Sequence, residues 1–418
     1  MHVMVLGAGV NGVTTAWYLL QAGFEVSVVD RQPGPALETS FANGGQISVS
    51  HPEPWSSPAA PLIALRSIGR SEAPLRLRIG MEPARWSWLI RFLRECLPAR
   101  HQRNAHAIAS LAVHSADCLR VLRAETGLHY QERTRGILHL LYDVRELEHA
   151  RARLPLLQQH GILCELHTPE ECATIDPALA TVAPRLAGGL YAPNDESGNA
   201  RLFTSALAER AATGGARFHF DSEITGLELL ASRIRAVQVR SAGVSSRLAA
   251  DAFVMCLGSY GAKLLAPHGE HLPIYPVKGY SVTAPVVDAA HAPTVSLTDE
   301  SRRLVASRLG DTLRVAGTAE ICGYDASPDP TRTRPLLNWI DDLFPGACDT
   351  GRAEHWAGLR PCTPSYVPVI GRSRIDGLWL NTGHGSLGWT LACGSAQLVS
   401  TLIAGGKSSI EGFPLHGR

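Results

Sequence analysis

The opening stretch restricts what this chain can fold into more than any other. His2-Val3-Met4-Val5-Leu6 is an apolar run of strand length. Gly7-Ala8-Gly9-Val10-Asn11-Gly12 follows, then an apolar helical stretch, then Glu25-Val26-Ser27-Val28-Val29-Asp30. Strand, glycine turn, helix, strand and acid, in that order, make a βαβ unit suited to a dinucleotide. Gly7 permits the sharp turn off the strand, Gly9 lets backbone approach a pyrophosphate, and Gly12 lets the helix pack closely on the strand. The amides from Gly9 to Asn11 open the helix, where free N–H groups and the helix dipole favour negative charge. Asp30 stands where an acid takes a ribose hydroxyl. A glycine-rich turn in an ordinary α/β unit would share the glycines but would not need that acid.

By itself the motif fits NAD or FAD. Past Asp30 the chain does not enter a third βα unit at once. Arg31 to Gly34 reads as a turn, and Glu38 to Gln46 is small, polar and flexible. Such a segment suits a long cofactor lying extended across the domain.

The 418 residues are enough for two or three domains, and 45% apolar with 18% charged residues is a globular composition. A net charge of +1 offers no whole-chain attraction for nucleic acid. Nine cysteines, with no CxxC pair, argue against a disulfide framework or a zinc site and fit a reducing, cytoplasmic setting. No run is long and apolar enough to span a membrane. One stretch can still lie on one: residues 66–103 carry nine arginines against three acids, interleaved with Trp86 and Trp88. The expectation is therefore double. Either the helix over 84–97 is buried with its arginines fanning to solvent, or the stretch makes peripheral contact with the inner face of the cell membrane or with a quinone.

Residues 48–80 read as loops and short turns. Helices are expected over 104–127, 143–160, 200–213, 333–344 and 389–403, with a helix start at Thr168-Pro169-Glu170-Glu171. Strands are expected at 136–142, 188–192, 217–220, 234–239 and 252–256. The last of these runs into Gly258, a second place where backbone can touch the cofactor. Residues 272–320 alternate in β fashion, which predicts an antiparallel sheet in a second domain.

The C-terminal part carries the second strong signal. Gly358-Leu359-Arg360-Pro361 is followed by Leu378 to Thr382, a strand pattern. Then come Gly383-His384-Gly385-Ser386-Leu387-Gly388-Trp389-Thr390 and a helix. A second helix N-terminus suits the other end of an extended cofactor, where a reduced flavin bears negative charge.

With these pieces, the chain resembles the FAD-dependent D-amino acid dehydrogenases of the small-subunit type. More remotely it resembles glycine oxidase and the D-amino acid oxidase superfamily. The resemblance rests on Gly7–Gly12, Asp30, Glu38–Ser48, Pro193–Phe203, Pro276–Val282 and Trp379–Leu398, and covers nearly the whole chain. It implies an α/β FAD-binding domain of the Rossmann-like, glutathione-reductase type, and an α+β substrate domain with a mainly antiparallel sheet. The expected division is 1–80, 185–272 and 355–418 for the first, and 81–184 and 273–354 for the second. It also implies oxidative deamination of D-amino acids to 2-oxo acids and ammonia, with electrons passed to a quinone or other acceptor. A D-proline or D-hydroxyproline dehydrogenase, or an oxygen-using oxidase of the same fold, is the alternative.

The resemblance implies roles as well. Gly7, Ala8, Gly9, Val10, Asn11 and Gly12 take the pyrophosphate, Asp30 and Arg31 the adenosine ribose side, and Glu223 and Ile224 meet adenine. Ser40, Asn43, Gly44, Gly45, Gln46 and Ile47 run along the ribityl chain and flavin ring, with Gly258 nearby. Gly383, His384, Gly385, Ser386, Leu387, Gly388, Trp389 and Thr390 hold the pyrimidine side. Arg360 clamps the substrate carboxylate beside the flavin, which agrees with the fit of guanidinium to carboxylate. Tyr280 is expected to line the substrate site, His384 to position groups rather than act as a base, and Cys362 to be a buried small residue rather than a flavin tether. One departure stands out: where relatives often read TPDG after GLRP, this chain has Thr363-Pro364-Ser365-Tyr366.

Overall fold

The computed structural model describes residues 1–67, 75–78 and 81–417. Arg70 and Glu72 of the basic stretch lie outside the described residues. The glycine turn leaves a six-stranded sheet ordered Val369–Arg372, Leu378–Thr382, Ala252–Met255, His2–Leu6, Glu25–Val29, Arg217–His219. Neighbours run parallel except at the edge, where Val369–Arg372 is antiparallel to Leu378–Thr382.

Alternation along these strands decides what each face meets. Val3, Val5, Val26 and Val28 pack on helices Val10–Gln21, Ala200–Thr213 and Gly388–Ile403. Met4, Leu6 and Val29 pack on the antiparallel sheet Glu223–Leu230, Arg233–Ser241, Val244–Ala249. The helix boundaries have local causes. Asn199 caps Ala200–Thr213 by accepting from the amides of Arg201 and Leu202. Thr168 and Glu171 form a capping box ahead of Pro169–Ile175. Gly127, at φ +63°, ends Pro98–Thr126 in the left-handed region.

The second sheet is nine-stranded. Its main path is Glu354–Cys362, Tyr275–Pro285, Thr312–Ile321, Leu304–Leu309, Ser296–Asp299, Ile137–Leu141, Gly188–Ala192, Glu165–His167. Helix Pro330–Leu343 covers one face through Leu336, Trp339 and Ile340. Pairing is antiparallel apart from Ser296–Asp299 with Ile137–Leu141 and Leu75–Leu77 with Thr312–Ile321.

Sheet membership differs from the expected division at three places. Leu75–Leu77, Gly188–Ala192 and Glu354–Cys362 all pair in the nine-stranded sheet, whereas the expected boundaries put them with the dinucleotide-binding part. A short apolar run announces a strand but not its partner. The loops expected over 48–80 also contain helix Ala60–Ser67 and strand Leu75–Leu77.

The helix that opens at Gly388 crosses Pro98–Thr126 closely. The amide of Gly394 donates to Ser115 Oγ at 3.0 Å, and a Cβ on Gly394 would stand 2.8 Å from Ser115 Cα. Gly394→Ala is therefore expected to lower stability by about 1–3 kcal/mol, read as a drop in the urea midpoint at unchanged slope.

Candidate active site

Residues of both sheets bound a cavity of about 2190 Å³. Gly7, Gly9, Val10, Asn11, Asp30 and Arg31 line it, as do Ser40, Asn43 to Gln46, Glu223, Ile224, Gly258, Arg360 and His384 to Thr390. Ala8, Gly12, Ile47 and Gly383, expected in the same set, stand behind the wall as its support. Gly12 shows why: a Cβ there would lie 1.9 Å from the Gly7 carbonyl oxygen. Gly7, at φ +105°, turns the chain off the strand.

Two helices open onto this cavity, and at the first of them the Val10 amide donates to Ser40 Oγ at 3.1 Å. Gly9 precedes Val10–Gln21 and Leu387 precedes Gly388–Ile403, and neither side chain caps the helix it precedes. The amides left free and the two dipole ends favour negative groups at both places. That suits FAD, with a pyrophosphate for one helix and the flavin pyrimidine side for the other. Asp30 has a double task. Its carboxylate accepts from the amides of Ala8 (2.6 Å) and Gln32 (2.8 Å), so it braces the turn that it faces. Burial pushes its carboxyl up from the usual range, and those two amides pull it back. Arg31 is held by Glu38 at 2.5 Å and lies over the Tyr260 ring.

The segment from Asn43 onward is tied down on both sides. Gln46 Nε2 donates to Ser296 Oγ, the Leu297 carbonyl and Thr298 Oγ1. The Ser48 amide donates to Thr390 Oγ1 at 3.1 Å. Asp195 is buried and accepts from the amides of Val49 and Ser50 and from Ser50 Oγ. Asp195 had no assigned role in the sequence reading, although it lies within the Pro193–Phe203 motif. Its signal there is an acid among small polar residues, and only the fold shows what it holds.

Arg360 is half-buried in strand Glu354–Cys362. Its Nη1 donates to the Thr318 carbonyl at 3.0 Å, and its Cζ lies 5.4 Å from the centre of the Trp55 ring. Burial pulls the guanidinium below its usual range, and among the described residues no carboxylate forms an ion pair with it. The guanidinium occupies the space over Gly279, where a Cβ would stand 2.3 Å from Cζ. Thr318 sits at the bulge opposite Gly279 and Tyr280 with φ +52°, so its carbonyl leaves the ladder and turns to Arg360.

The motif Pro276–Val282 thus contributes through its glycine. Tyr280, expected to line the substrate site, is among the residues that line the cavity, while its side chain joins the cluster of Leu336, Trp339 and Ile340 and its hydroxyl donates to Glu320 at 2.5 Å. The period of two forces this: with Gly279 beneath Arg360, Lys278 and Tyr280 must point away. Lys278 is accordingly buried beside Asp325. Cys362 is fully buried behind Tyr366, its thiol pushed up to about 11 by burial. All nine cysteines are free.

Relatives bear on what the cavity holds. The profile of a family described as "FAD dependent oxidoreductase" matches residues 2–402. The chain belongs to that family. A D-amino acid dehydrogenase of Dechloromonas aromatica is 48% identical over 415 residues, 99% of each chain. One of Paramagnetospirillum magneticum is 47% identical over 412 residues, 98% of this chain and 97% of the relative. Among solved structures, the fold is shared with glycine oxidase from Geobacillus kaustophilus. That match has a TM-score of 0.73 at 22% identity and covers 100% of this chain and 98% of the other. It is shared also with L-proline dehydrogenase from P. horikoshii, at a TM-score of 0.74 and 19% identity over 98% of this chain and 95% of the other. The family's cofactor, FAD, is the group that the two helix N-termini and the glycine turn fit.

His384 is 1% exposed, its Nε2 lies 3.1 Å from Ser395 Oγ, and burial lowers its pKa to about 3. A neutral ring at every working pH fits positioning. The unfolded chain takes up this proton near pH 6.5 and the folded one only near 3, so the contribution to stability is present above pH 6.5 and lost as pH falls toward 3. His384→Asn should flatten the fall in unfolding midpoint between pH 6.5 and 4, measured by urea titration at each pH.

Proposed function

We propose that the protein is a D-amino acid dehydrogenase that binds its substrate by the carboxylate on Arg360 and passes electrons to a membrane quinone. A cation that faces the cavity and forms no ion pair with a carboxylate of the described residues carries this reading. An internal acid would have cancelled the charge that an amino acid's carboxylate must find.

Each residue then has a task. Arg360 binds the carboxylate through the N–H edge that Thr318 leaves free, and the Thr318 carbonyl fixes the plane of the guanidinium. Trp55 covers one face of the guanidinium and keeps water from it. FAD, held at the glycine turn and the two helix N-termini, would supply the two-electron acceptor for the Cα hydride. The amine needs only to be neutral for that step, so no strong base is required, and His384 is not one. The imino acid leaves and hydrolyses to a 2-oxo acid and ammonia. Orientation and charge placement are the protein's share of the work.

The mouth of the cavity supports the quinone and the membrane. Leu65, Trp86, Leu89, Ile90 and Leu93 line it. Leu65 is 65% exposed, Ile90 54% and Leu93 52%, while Trp88 and Arg85 of the same helix, Pro83–Glu95, are buried. So this helix does not simply bury its apolar side with arginines outward. It turns part of its apolar side to solvent, beside exposed Arg91, Arg94, Arg100 and Arg103. An apolar rim with flanking cations suits an anionic bilayer surface. No helix among the described residues is long and apolar enough to cross a membrane.

Two outcomes test the reading. Arg360→Ala should keep the yellow flavin spectrum while kcat/KM for D-alanine falls about 10²–10³-fold; an unchanged value removes the clamp. The double variant Ile90→Ser, Leu93→Ser should keep D-alanine oxidation with a soluble dye, yet lose co-sedimentation with anionic vesicles and the turnover supported by a quinone held in them.

A further inference from the structure

Tyr366 adopts a backbone conformation that a residue of its size rarely holds. Its φ is +64°, and among the described non-glycine residues with positive φ it is the sole aromatic one. It is nevertheless 1% exposed. Such a conformation persists only where the surroundings over-determine it, and it points to a task at the site.

The surroundings identify the task. The Tyr366 ring lies 5.2 Å from the Trp55 ring, tilted by 33°. Its hydroxyl accepts from Cys362 Sγ at 3.6 Å and also bonds Ser386. Its edge rests against Gly385, where a Cβ would stand 3.0 Å away. Tyr366 itself does not line the cavity, but Trp55 does. Trp55 stands on a segment without helix or strand, residues 51–59, so local structure does not hold its indole in place. The indole is set by what it packs on. Its two ring partners are Tyr366 and the Arg360 guanidinium, 5.2 Å and 5.4 Å from its centre.

We infer that Trp55 is the wall that limits the size of the substrate's side chain beside Arg360, and that Tyr366 is the positioning residue that holds this wall between the substrate site and the Gly385-Ser386 turn. A guanidinium stacked on an aromatic face keeps its N–H edge for a carboxylate. The indole therefore does not compete with the clamp. It occupies the room beyond it, where a bulky side chain would go. The site accordingly favours amino acids with small side chains. This inference rests on Arg360 as the carboxylate clamp.

The test is a selectivity ratio, measured on holoenzyme with D-alanine and D-phenylalanine and a soluble dye acceptor. Tyr366→Gly relieves the backbone and releases the indole. It is expected to retain bound flavin, to raise KM for D-alanine more than it changes kcat, and to raise the D-phenylalanine to D-alanine ratio of kcat/KM at least about 10-fold. Tyr366→Phe keeps the ring and should keep the wild-type ratio. Trp55→Ala should reproduce the rise, and it carries the test if Tyr366→Gly fails to hold flavin. A parallel loss with both substrates, or a ratio within about twofold of wild type in Trp55→Ala, overturns the inference. Arg360→Ala in the same panel should lose both substrates alike, so failure of the clamp and failure of the wall read differently.

Discussion

A guanidinium inside a protein must be held without being neutralised if it is to bind an anion. Arg360 meets this condition with one carbonyl, one aromatic face and the empty space above a glycine. The nine-stranded sheet is shaped around it. The bulge turns the Thr318 carbonyl out of the ladder, Gly279 vacates the volume, and the alternation that puts Gly279 beneath the guanidinium sends Lys278 and Tyr280 to the opposite face with Glu320 and Asp325. Charges of both signs are thus present within one strand pair, but the sheet separates them. The carboxylates stay with Lys278 on the covered face, and the unneutralised cation faces the cavity.

The other half of the molecule solves a complementary problem with backbone. Two helix N-termini face the same cavity, and each follows a glycine turn packed too closely for side chains. Between them, residues 43–50 are pinned by the bonds of Gln46, Thr390 and Asp195, so this strip of the cavity wall is held from the nine-stranded sheet and from the second helix. On the proposed reading the cofactor's charge is met by helix ends and the substrate's charge by a side chain. The two demands therefore do not compete for the same group.

Much of this was legible because it is local. The βαβ start, the placement of Asp30, the helix start at Thr168 and the two glycine turns are relations between residues close in sequence. The helices expected at 200–213 and 389–403 agree with the structure to within a residue. What was not legible depended on partners far away. Leu75–Leu77, Gly188–Ala192 and Glu354–Cys362 look like ordinary short strands, and only their neighbours assign them to a sheet. Gly279 had no expected role, because only the packing of Arg360 across the strand pair shows that the absence of a side chain there is the useful property. Trp55 and Thr318 carry no local motif at all.

The chain's order of residues determined the βαβ start suited to a dinucleotide, the two glycine turns that open helices, and that one arginine would follow the second sheet's last glycine, since short-range spacing sets turns, helix starts and strand ends. Tertiary structure alone decided which face each strand shows the cavity, that Arg360 meets no described carboxylate there, and that a tyrosine held at φ +64° stands behind Trp55. Those are properties of register and of contact between distant segments, and a one-residue shift in pairing would reverse them while leaving every local pattern intact.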